Sequence, residues 1–281
     1  MHPPGSPLDE VPPFTLFGGV PDDAWGWLHL EGRDRCPFLA GYLPGLTHNP
    51  KSEARTVGSS GAEALAQGFQ IYGLFKRLYE RHSAEPLHAG TQLLDFGSGW
   101  GRVIRYFLKD VAPENLVGLD INEGSLKAAR KTDRWSRFER CELLPPTRFD
   151  ADSFDLVYAF SVFSHLSEES HDAWLGEFER VLRPGGVLIL TTFHRDVLER
   201  AGDFPAMAER FAPVDPWLAA YDRGDFAYQV LQEESNPHFG FAFIPEDYVR
   251  ARWTRRFEVH EFLPAPEWGQ NVIVCTARGT G

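Results

Sequence analysis

The sequence predicts an α/β protein built on a doubly wound, mostly parallel β-sheet. Short apolar runs alternate with helical stretches through the centre of the chain, as such a sheet requires. A glycine-rich turn follows the first of these runs, at the place where a strand would pass into a helix. Two apolar runs joined by a short link close the chain. Right-handed crossovers between the parallel strands would place helices on both faces of the sheet.

The N-terminal residues up to about 55 are rich in Pro and Gly and carry scattered aromatic side chains such as Trp25 and Tyr42. This composition predicts an irregular arm that packs on a larger body. From about Ala62 to Arg81, apolar side chains recur at the spacing of a helix. That spacing predicts one amphipathic helix, so the arm and the helix together form a helical N-terminal extension.

The central elements follow one another in alternation. Strands are expected at TQLLDF, NLVGLD and FDLVYAF, with a weak strand near Phe138. Helices are expected from about Gly101, from about Glu123, and over residues 168–182. The fifth strand is GVLILTTF, which follows a turn at residues 183–186.

Residues 195–244 interrupt this alternation, because they form a long, aromatic segment punctuated by Pro. A segment of this length inside a compact domain is typical of a functional lid or an inserted helical cap. After it, the pattern predicts a helix at 245–253 and strands at 257–262 and NVIVCTA. The short link between these last two strands predicts an antiparallel hairpin that closes the sheet.

Composition limits the classes of partner. The chain of 281 residues has a formal net charge of -12 and a pI near 5.3, so a phosphate backbone would be repelled and nucleic acid is disfavoured. Three cysteines stand at spacings that fit neither a zinc site nor a disulfide framework, which favours free thiols in the cytoplasm. No leader-like segment and no run of about 18 apolar residues occurs, so we expect neither export nor membrane insertion. The sequence does not indicate an oligomeric state.

The glycine-rich turn is the first sign of a ligand. In LLDFGSGWGRV, Gly97, Gly99 and Gly101 lie between a strand and a predicted helix, where glycine permits a positive φ and lets a ligand approach the backbone. Arg102 stands where a dinucleotide fingerprint would have its third glycine. Asp95 stands two residues before the turn, where a carboxylate would oppose a pyrophosphate but would suit an ammonium and a sulfonium. The charges therefore favour S-adenosylmethionine over a dinucleotide.

A second acid follows at the end of the next strand. Asp120 in GLDIN stands about 20 residues beyond the glycines, where a carboxylate can accept hydrogen bonds from both ribose hydroxyls of an adenosine. Together with FDLVYAF and LRPGG, these motifs resemble the class I, Rossmann-like family of S-adenosylmethionine-dependent methyltransferases. The resemblance covers residues 60–195 and, more loosely, the two final strands.

The resemblance implies a seven-stranded sheet in the order 3-2-1-4-5-7-6, with the last strand antiparallel and the cofactor over the carboxyl ends of the first strands. It implies that one group of residues lines the methionine part of the cofactor: Asp95, Gly97, Ser98, Gly99 and Gly101. Asp120 would hold the ribose and Ile121 would face the adenine, while Phe160 and Ser161 would lie near the sulfonium. The product of such a cofactor is S-adenosylhomocysteine.

The chain departs from the family pattern after the third strand. Many members carry an Asp or Asn there that reaches the adenine amino group, whereas this chain reads RCELLPP. Cys141, Glu142 and Leu143 are therefore alternative occupants of that position. No magnesium site is expected, because the acids of AFSVFSHLSEESHD are explained as the first turn of a helix.

Two histidines are candidate catalytic bases. His165 follows the fourth strand and His194 follows the fifth, so both belong to the edge of the sheet where such enzymes bind substrate. An imidazole has a near-neutral pKa and could remove a proton from a hydroxyl group of the acceptor. For each of them, a structural role is the alternative interpretation.

We therefore expect residues 1–85 to form an arm and helix covering the active site, and residues 86–281 to form the methyltransferase domain with a substrate cap at about 195–244. The expected reaction is methyl transfer to an oxygen, nitrogen or carbon of a small metabolite, secondary metabolites included. One alternative is a protein or RNA substrate, for which the arginines between 250 and 256 are the candidate contact. Another is an enzyme that retains the cofactor for a reaction other than methylation.

Overall fold

The computed structural model describes residues 10–46, 59–232 and 236–278. The chain divides into two compact units, Met1–Cys141 and Glu142–Gly281. Both units contribute strands to one seven-stranded sheet.

The N-terminal arm consists of short helices and is not irregular as predicted. Its helices are α1 (Pro13–Phe17), α2 (Asp22–Trp27), α3 (Arg33–Arg35) and α4 (Pro37–Tyr42), with a π-helical turn at Leu28–Gly32 between α2 and α3. Pro begins both α1 and α4, where its missing N–H is not needed and its fixed φ suits a helix start. Pro was therefore a helix-start signal here. Residues 1–9 and 47–58 of the predicted arm lie outside the described residues.

The predicted amphipathic helix is confirmed as α5 (Gly61–His82). A network of partly buried charges joins α2 and α5. The Tyr72 hydroxyl donates to Asp110 Oδ2 at 2.6 Å, and Lys76 Nζ donates to Asp110 Oδ1 at 2.8 Å and to Asp22 Oδ1 at 3.2 Å. Lys109 Nζ lies 2.7 Å from the same Asp22 oxygen. Two lysines and two aspartates thus neutralise one another and attach the arm to α5.

Three parallel strands complete the first unit: β1 (Leu93–Phe96), β2 (Leu116–Asp120) and β3 (Arg137–Arg140), with α6 (Glu123–Thr132) between β2 and β3. These elements agree with the sequence prediction. The α-helix predicted from Gly101 is wrong, because the turn leads into a 3-10 helix at Ile104–Lys109. Every residue of that helix is buried, so it lacks the one-sided apolar pattern of an amphipathic α-helix.

The second unit begins with β4 (Phe154–Ala159), α7 (Glu168–Val181) and β5 (Leu182–Phe193), in the predicted order. Ser167 caps α7, since its hydroxyl oxygen accepts a hydrogen bond from the Ser170 amide at 3.3 Å. Strand β5 pairs in parallel with β4 and starts earlier than predicted, because Leu182 already pairs with Phe154.

Residues 195–244, called the cap from here on, contain strands as well as helices. Its elements are α8 (Arg195–Glu199), α9 (Pro205–Ala208), α10 (Asp215–Asp222), β6 (Ala227–Gln232) and β7 (Asn236–Phe243). The prediction of a helical cap missed the antiparallel β6–β7 hairpin. A core of Leu198, Met207, Phe211, Phe241 and Phe243 packs within the cap, so most of its aromatic side chains serve packing.

The chain ends with α11 (Glu246–Arg252), β8 (Phe257–Ala265) and β9 (Gln270–Ala277). Strand β9 pairs antiparallel with both β5 and β8, which confirms the predicted closing hairpin. The sheet has seven strands in the order β3-β2-β1-β4-β5-β9-β8. Counted along the sheet-forming chain, this is the order 3-2-1-4-5-7-6 that the family resemblance implies.

Candidate functional site

The glycine turn after β1 is held in a left-handed conformation. Gly97, Gly99 and Gly101 have φ values of 75°, 56° and 78°. The Gly97 and Ser98 amides donate to the Leu119 carbonyl oxygen at 2.7 and 3.0 Å, which fixes the turn against β2. Residues that have a Cβ atom rarely adopt such φ values, so this turn requires glycine.

The glycines differ in what surrounds them. A Cβ placed on Gly99 would have no atom of the described chain within 4 Å, whereas one on Gly101 would lie 2.9 Å from Phe138 Cζ. At Gly118 on β2, a Cβ would meet Phe138 Cδ1 at 2.6 Å and Ser98 Oγ at 2.8 Å. Gly101 and Gly118 therefore serve close packing, while Gly99 faces open space that a ligand can use.

Asp120 at the end of β2 is bonded directly to the turn. Its Oδ2 accepts from the Gly99 amide at 2.8 Å and its Oδ1 accepts from the Asn122 amide at 2.7 Å. Burial raises the pKa of the Asp120 carboxyl, and these amides partly offset the rise by stabilising the charged form. A carboxylate oxygen can accept more than one hydrogen bond, so Asp120 can hold the turn and a ligand hydroxyl together. Ile121 beside it is 43% exposed, although it is apolar.

Asp95 and Arg102 form a buried pair of charges at the start and end of the turn. Asp95 is only 4% exposed. Burial lowers the pKa of Arg102 to about 10, and the charge of Asp95 opposes that shift. Arg102 also donates to Gln67 Oε1 at 3.0 Å. Gln67 lies on α5, and the helical periodicity of α5 gave no sign that it reaches the turn.

Trp100 lies within the turn, between Gly99 and Gly101, and its side chain packs against α5. Its ring lies in an apolar cluster with Ala64 and Leu65 of α5. The Arg105 guanidinium lies 4.8 Å from the ring centroid, and Arg105 Nε donates to the Gly101 carbonyl at 2.8 Å. Trp100 thus contributes to the support of the turn by packing.

In the second unit, the end of β4 has a strained backbone. Ser161 has a φ of 58°, in the left-handed region that only a few non-glycine residues adopt. Its amide donates to Thr191 Oγ1 on β5 at 2.7 Å, which stabilises this conformation. The neighbouring Phe160 ring packs edge-on against Trp268 at 5.9 Å. Strain of this kind concentrates at functional sites.

His165 is oriented by the cap. Its Nδ1 lies 2.9 Å from the Gly240 carbonyl oxygen, which can only accept, so Nδ1 carries the proton. The ring stacks on Phe239 at 5.3 Å and meets Phe193 edge-on at 5.2 Å. Burial lowers the pKa of His165, although the bond to Gly240 opposes the shift. The neutral ring therefore presents an Nε2 lone pair, for which the described residues supply no hydrogen bond.

The segment that carries His165 runs beside β7 of the cap. Leu166 forms an antiparallel bridge with Phe239, and the Ser167 amide donates to the His238 carbonyl at 3.1 Å. A Cβ on Gly240 would lie 2.2 Å from the Gln229 carbonyl oxygen, so this close strand contact requires glycine. The hairpin thereby fixes the position of the His165 ring.

His194 has a different environment. It is the N-cap of α8, with Nδ1 accepting from the Asp196 amide at 3.2 Å. Its own amide donates to the Gly269 carbonyl at 2.9 Å. The lone pair on Nδ1 is therefore used within the protein.

The three alternatives for the adenine contact differ in exposure. Cys141 is buried, and its amide donates to the Asp120 carbonyl at 3.1 Å. Glu142 is exposed, and so is Leu143, whose carbonyl accepts from Trp174 Nε1 at 3.1 Å. Which of the three contacts the adenine stays a prediction.

The arginines near the C-terminus are interleaved with acids. Arg250 donates to Glu246 at 2.8 Å and Arg256 donates to Glu179 at 2.7 Å. A groove of about 500 Å³ at this surface is lined by four acids, three arginines and a tyrosine. In the part of the chain that the structure describes, no group of three or more His, Cys, Asp or Glu side chains could hold a metal ion. No helix among the described residues is long and apolar enough to span a membrane.

A parallel sheet with a glycine turn after β1 and an acid at the end of β2 defines the class of nucleotide-binding α/β enzymes. A family model described as a methyltransferase domain matches residues 94–188. The ubiquinone/menaquinone biosynthesis C-methyltransferase UbiE of Cupriavidus pinatubonensis is 33% identical over 214 residues, which cover 71% of this chain and 79% of that protein. The chain belongs to the class I family of S-adenosylmethionine-dependent methyltransferases.

Two further similarities have narrower meaning. The cyclopropane-fatty-acyl-phospholipid synthase of Escherichia coli K12 is 26% identical over 173 residues, which cover 58% of this chain but only 39% of that longer protein. The magnesium protoporphyrin IX methyltransferase ChlM of Synechocystis PCC 6803, solved with bound S-adenosylhomocysteine, superposes with a TM-score of 0.52 at 14% identity. That match covers 82% of this chain and 95% of the other, and it shows the shared fold.

The residues of the first unit fit the cofactor of this family, S-adenosylmethionine. The space beside Gly99 is open, and Asp120 retains acceptor capacity for ribose hydroxyls. The hydroxyl of Ser98 is buried and has no hydrogen-bond partner among the described residues, so it is available to a polar ligand. Asp95 places negative charge at the turn, which suits the ammonium group.

Proposed function

We propose that the protein transfers the methyl group of S-adenosylmethionine to a small molecule that loses a hydroxyl proton, with His165 as the general base. The observation that carries this proposal is the orientation of the His165 ring. Nδ1–H is bonded to the Gly240 carbonyl, and Nε2 is left with a lone pair between aromatic side chains.

The proposed reaction requires that the predicted residues bind S-adenosylmethionine. The methionine part of the cofactor would be held by Asp95, Gly97, Ser98, Gly99 and Gly101. Asp120 would hold the ribose and Ile121 would cover the adenine, while Phe160 and Ser161 would lie near the sulfonium. When bound, the cofactor supplies an electrophilic methyl group, so the protein has chiefly to align and deprotonate the acceptor. The hydrogen bond from Gly99 to Asp120 couples ribose binding to the shape of the turn.

His165 has the protonation state that this role requires. Because burial lowers its pKa, the ring is neutral at pH 7 and Nε2 can take a proton from an acceptor hydroxyl. The rings of Phe193 and Phe239 cover two sides of the imidazole, and this partial burial strengthens polar contacts made there. The capping bond of His194 uses its Nδ1 lone pair, so we assign the base to His165 and a structural role to His194.

The acceptor class is a small molecule of low polarity. The names of two relatives refer to ubiquinone/menaquinone biosynthesis and to fatty-acyl phospholipids, which are compounds with large apolar parts. The aromatic cap is proposed to enclose such an acceptor. The net charge of -12 and the acid-paired arginines do not favour RNA.

The test is methyl transfer to hydroxylated naphthalenes, followed by mass spectrometry, since methylation adds one methyl group to the product. His165→Gln is expected to lower kcat/KM by about 100-fold or more while the affinity for S-adenosylhomocysteine stays unchanged. His194→Asn retains a capping oxygen and is expected to keep full activity. Because the active form has a neutral His165, kcat/KM of the native enzyme should be constant near neutral pH and fall in acid, below pH 6.5. Full activity of His165→Gln would refute the assignment, and a product of unchanged mass would favour a non-methylating reaction.

A further inference from the structure

Gln270 is a buried polar residue that the proposed function does not use. It is 3% exposed, and its amide oxygen Oε1 has no hydrogen-bond partner within residues 10–46, 59–232 and 236–278. A buried amide without a partner destabilises a fold, so buried polar groups are nearly always bonded. Such an unbonded oxygen can be satisfied by a bound ligand where it lies beside a candidate site.

The strand register places Gln270 next to His165. Gln270 is the first residue of β9 and pairs directly with Phe193, the last residue of β5. Side chains of directly paired residues on antiparallel strands lie on the same face of the sheet. The Phe193 ring is 5.2 Å from the His165 ring. The Gln270 amide and the His165 imidazole therefore belong to one surface, with Phe193 between them.

The backbone on both sides of Gln270 is fixed. Gly269 adopts a φ of 64° and its carbonyl accepts from the His194 amide at 2.9 Å. Asn271 Nδ2 donates to the Phe193 carbonyl at 3.0 Å. These bonds hold the start of β9 against the end of β5, so the Gln270 side chain leaves the backbone from a constrained position.

The aromatic surroundings indicate the shape of the ligand. The His165 ring stacks on Phe239 with an interplanar angle of 21°, and Phe239 is 39% exposed although it is a large apolar side chain. Phe193 forms a further wall. Flat apolar walls favour a planar, aromatic ligand, because aromatic rings gain from offset stacking and edge contacts.

We propose that Gln270 accepts a hydrogen bond from a second hydroxyl of the methyl acceptor. The acceptor is then a planar aromatic diol, with one hydroxyl at His165 Nε2 and the other at Gln270 Oε1. This inference rests on the proposed function and adds the substrate class and a specificity-determining residue. A site with a buried acceptor rejects an analogue that lacks the matching hydroxyl, because the buried oxygen stays unpaired.

The role of Gln270 is tested by measuring the binding of naphthalene diols in the presence of S-adenosylhomocysteine, where no methyl transfer takes place. Calorimetry under anaerobic conditions compares the 1,2-, 1,3- and 1,4-dihydroxynaphthalenes with 1-naphthol. The native protein is expected to bind at least one diol about tenfold more tightly than 1-naphthol. Gln270→Met has a similar shape and should abolish that preference while leaving 1-naphthol affinity unchanged, and Gln270→Glu, which keeps an acceptor oxygen, should restore part of it.

The controls separate the new role from a structural one. Glu267→Gln in the adjacent exposed turn should change neither affinity. Without ligand, Gln270→Met should melt at a higher temperature than the native protein, because it removes the unpaired buried oxygen. Equal weakening of diol and naphthol, no weakening, or no binding of any naphthalene by the native protein would overturn the inference. A diol preference that depends on Gln270, without methyl transfer, would leave the binding site standing and refute the proposed function alone.

Discussion

Gly99→Ala tests whether the turn after β1 is a ligand site, because the structure separates its two effects. The first effect is conformational: Ala at a φ of 56° costs about 1–2 kcal/mol of folding free energy. The second concerns the ligand. A Cβ at Gly99 meets no atom of the described chain within 4 Å, so the added methyl group causes no clash in the free protein. If the open space belongs to the cofactor, the methyl group intrudes there and costs about 1–3 kcal/mol of binding, or about 5- to 150-fold in Kd.

Gly185→Ala is the matched control. Gly185 has a φ of 78°, and a Cβ there also has no described atom within 4 Å. The residue lies in the turn at the start of β5, outside the predicted cofactor contacts. The conformational penalty should therefore be similar, about 1–2 kcal/mol, with no effect on ligand binding.

Two measurements are needed for each variant. Urea unfolding followed by circular dichroism gives the loss of stability, and titration calorimetry with S-adenosylhomocysteine gives Kd. Both variants should lose similar stability, and only Gly99→Ala should lose affinity. If Gly99→Ala binds S-adenosylhomocysteine as tightly as the native protein, the space at this turn is not the cofactor site and the reasoning is refuted.

Two further predictions concern Asp120 and His171. Asp120→Ala removes the acceptor for the Gly99 amide and for the ribose, so affinity for S-adenosylhomocysteine measured by calorimetry should fall about 10- to 100-fold. The control variant Glu114→Ala, at the surface, should bind S-adenosylhomocysteine normally. Unchanged affinity of Asp120→Ala would contradict the ribose assignment. Burial lowers the pKa of His171 to about 3, so below its ordinary value of 6.5 the unfolded state binds a proton that the folded state does not. The free energy of unfolding therefore decreases as the pH is lowered, and His171 accounts for about 2 kcal/mol of this loss between pH 7 and pH 5. In urea unfolding, the His171→Leu variant should lose about 2 kcal/mol less than the native protein over the same pH range. An unaltered pH dependence in the variant would show that the buried ring does not cause the loss.

Much of the sheet could be predicted because its signals are local. Each central strand is a short apolar run, and the glycine turn marks where the first one ends. The turn at Gly99 and the acid at Asp120 were predictable for the same reason, since both were recognised from residue types at short, fixed distances from the ends of two strands. The confirmed strand order required more than spacing, because it came from the resemblance to a known family.

The parts that escaped prediction depend on distant pairings. The orientation of His165 depends on the Gly240 carbonyl, 75 residues further along the chain. The link from Arg102 to Gln67 spans 35 residues, and Gln67 looks like any other polar residue of a helix. The cap hairpin was missed because residues 195–244 were interpreted as a whole from their length and their Pro and aromatic content, although β6 and β7 have six and eight residues. The periodicity of apolar residues predicts which side of a helix or strand is buried, and it does not predict which residues pack against that side.

The reversed direction of β9 has a consequence for how this enzyme could acquire new substrates. In a parallel strand, the last residue would lie beside the end of β5. Because β9 is antiparallel, its first residue lies there, directly after the short turn at residues 266–269. Substituting that first residue would change the side chain beside Phe193 and leave the register of the strand pair intact. Substitution at the start of one strand is therefore a simple route to altered substrate choice.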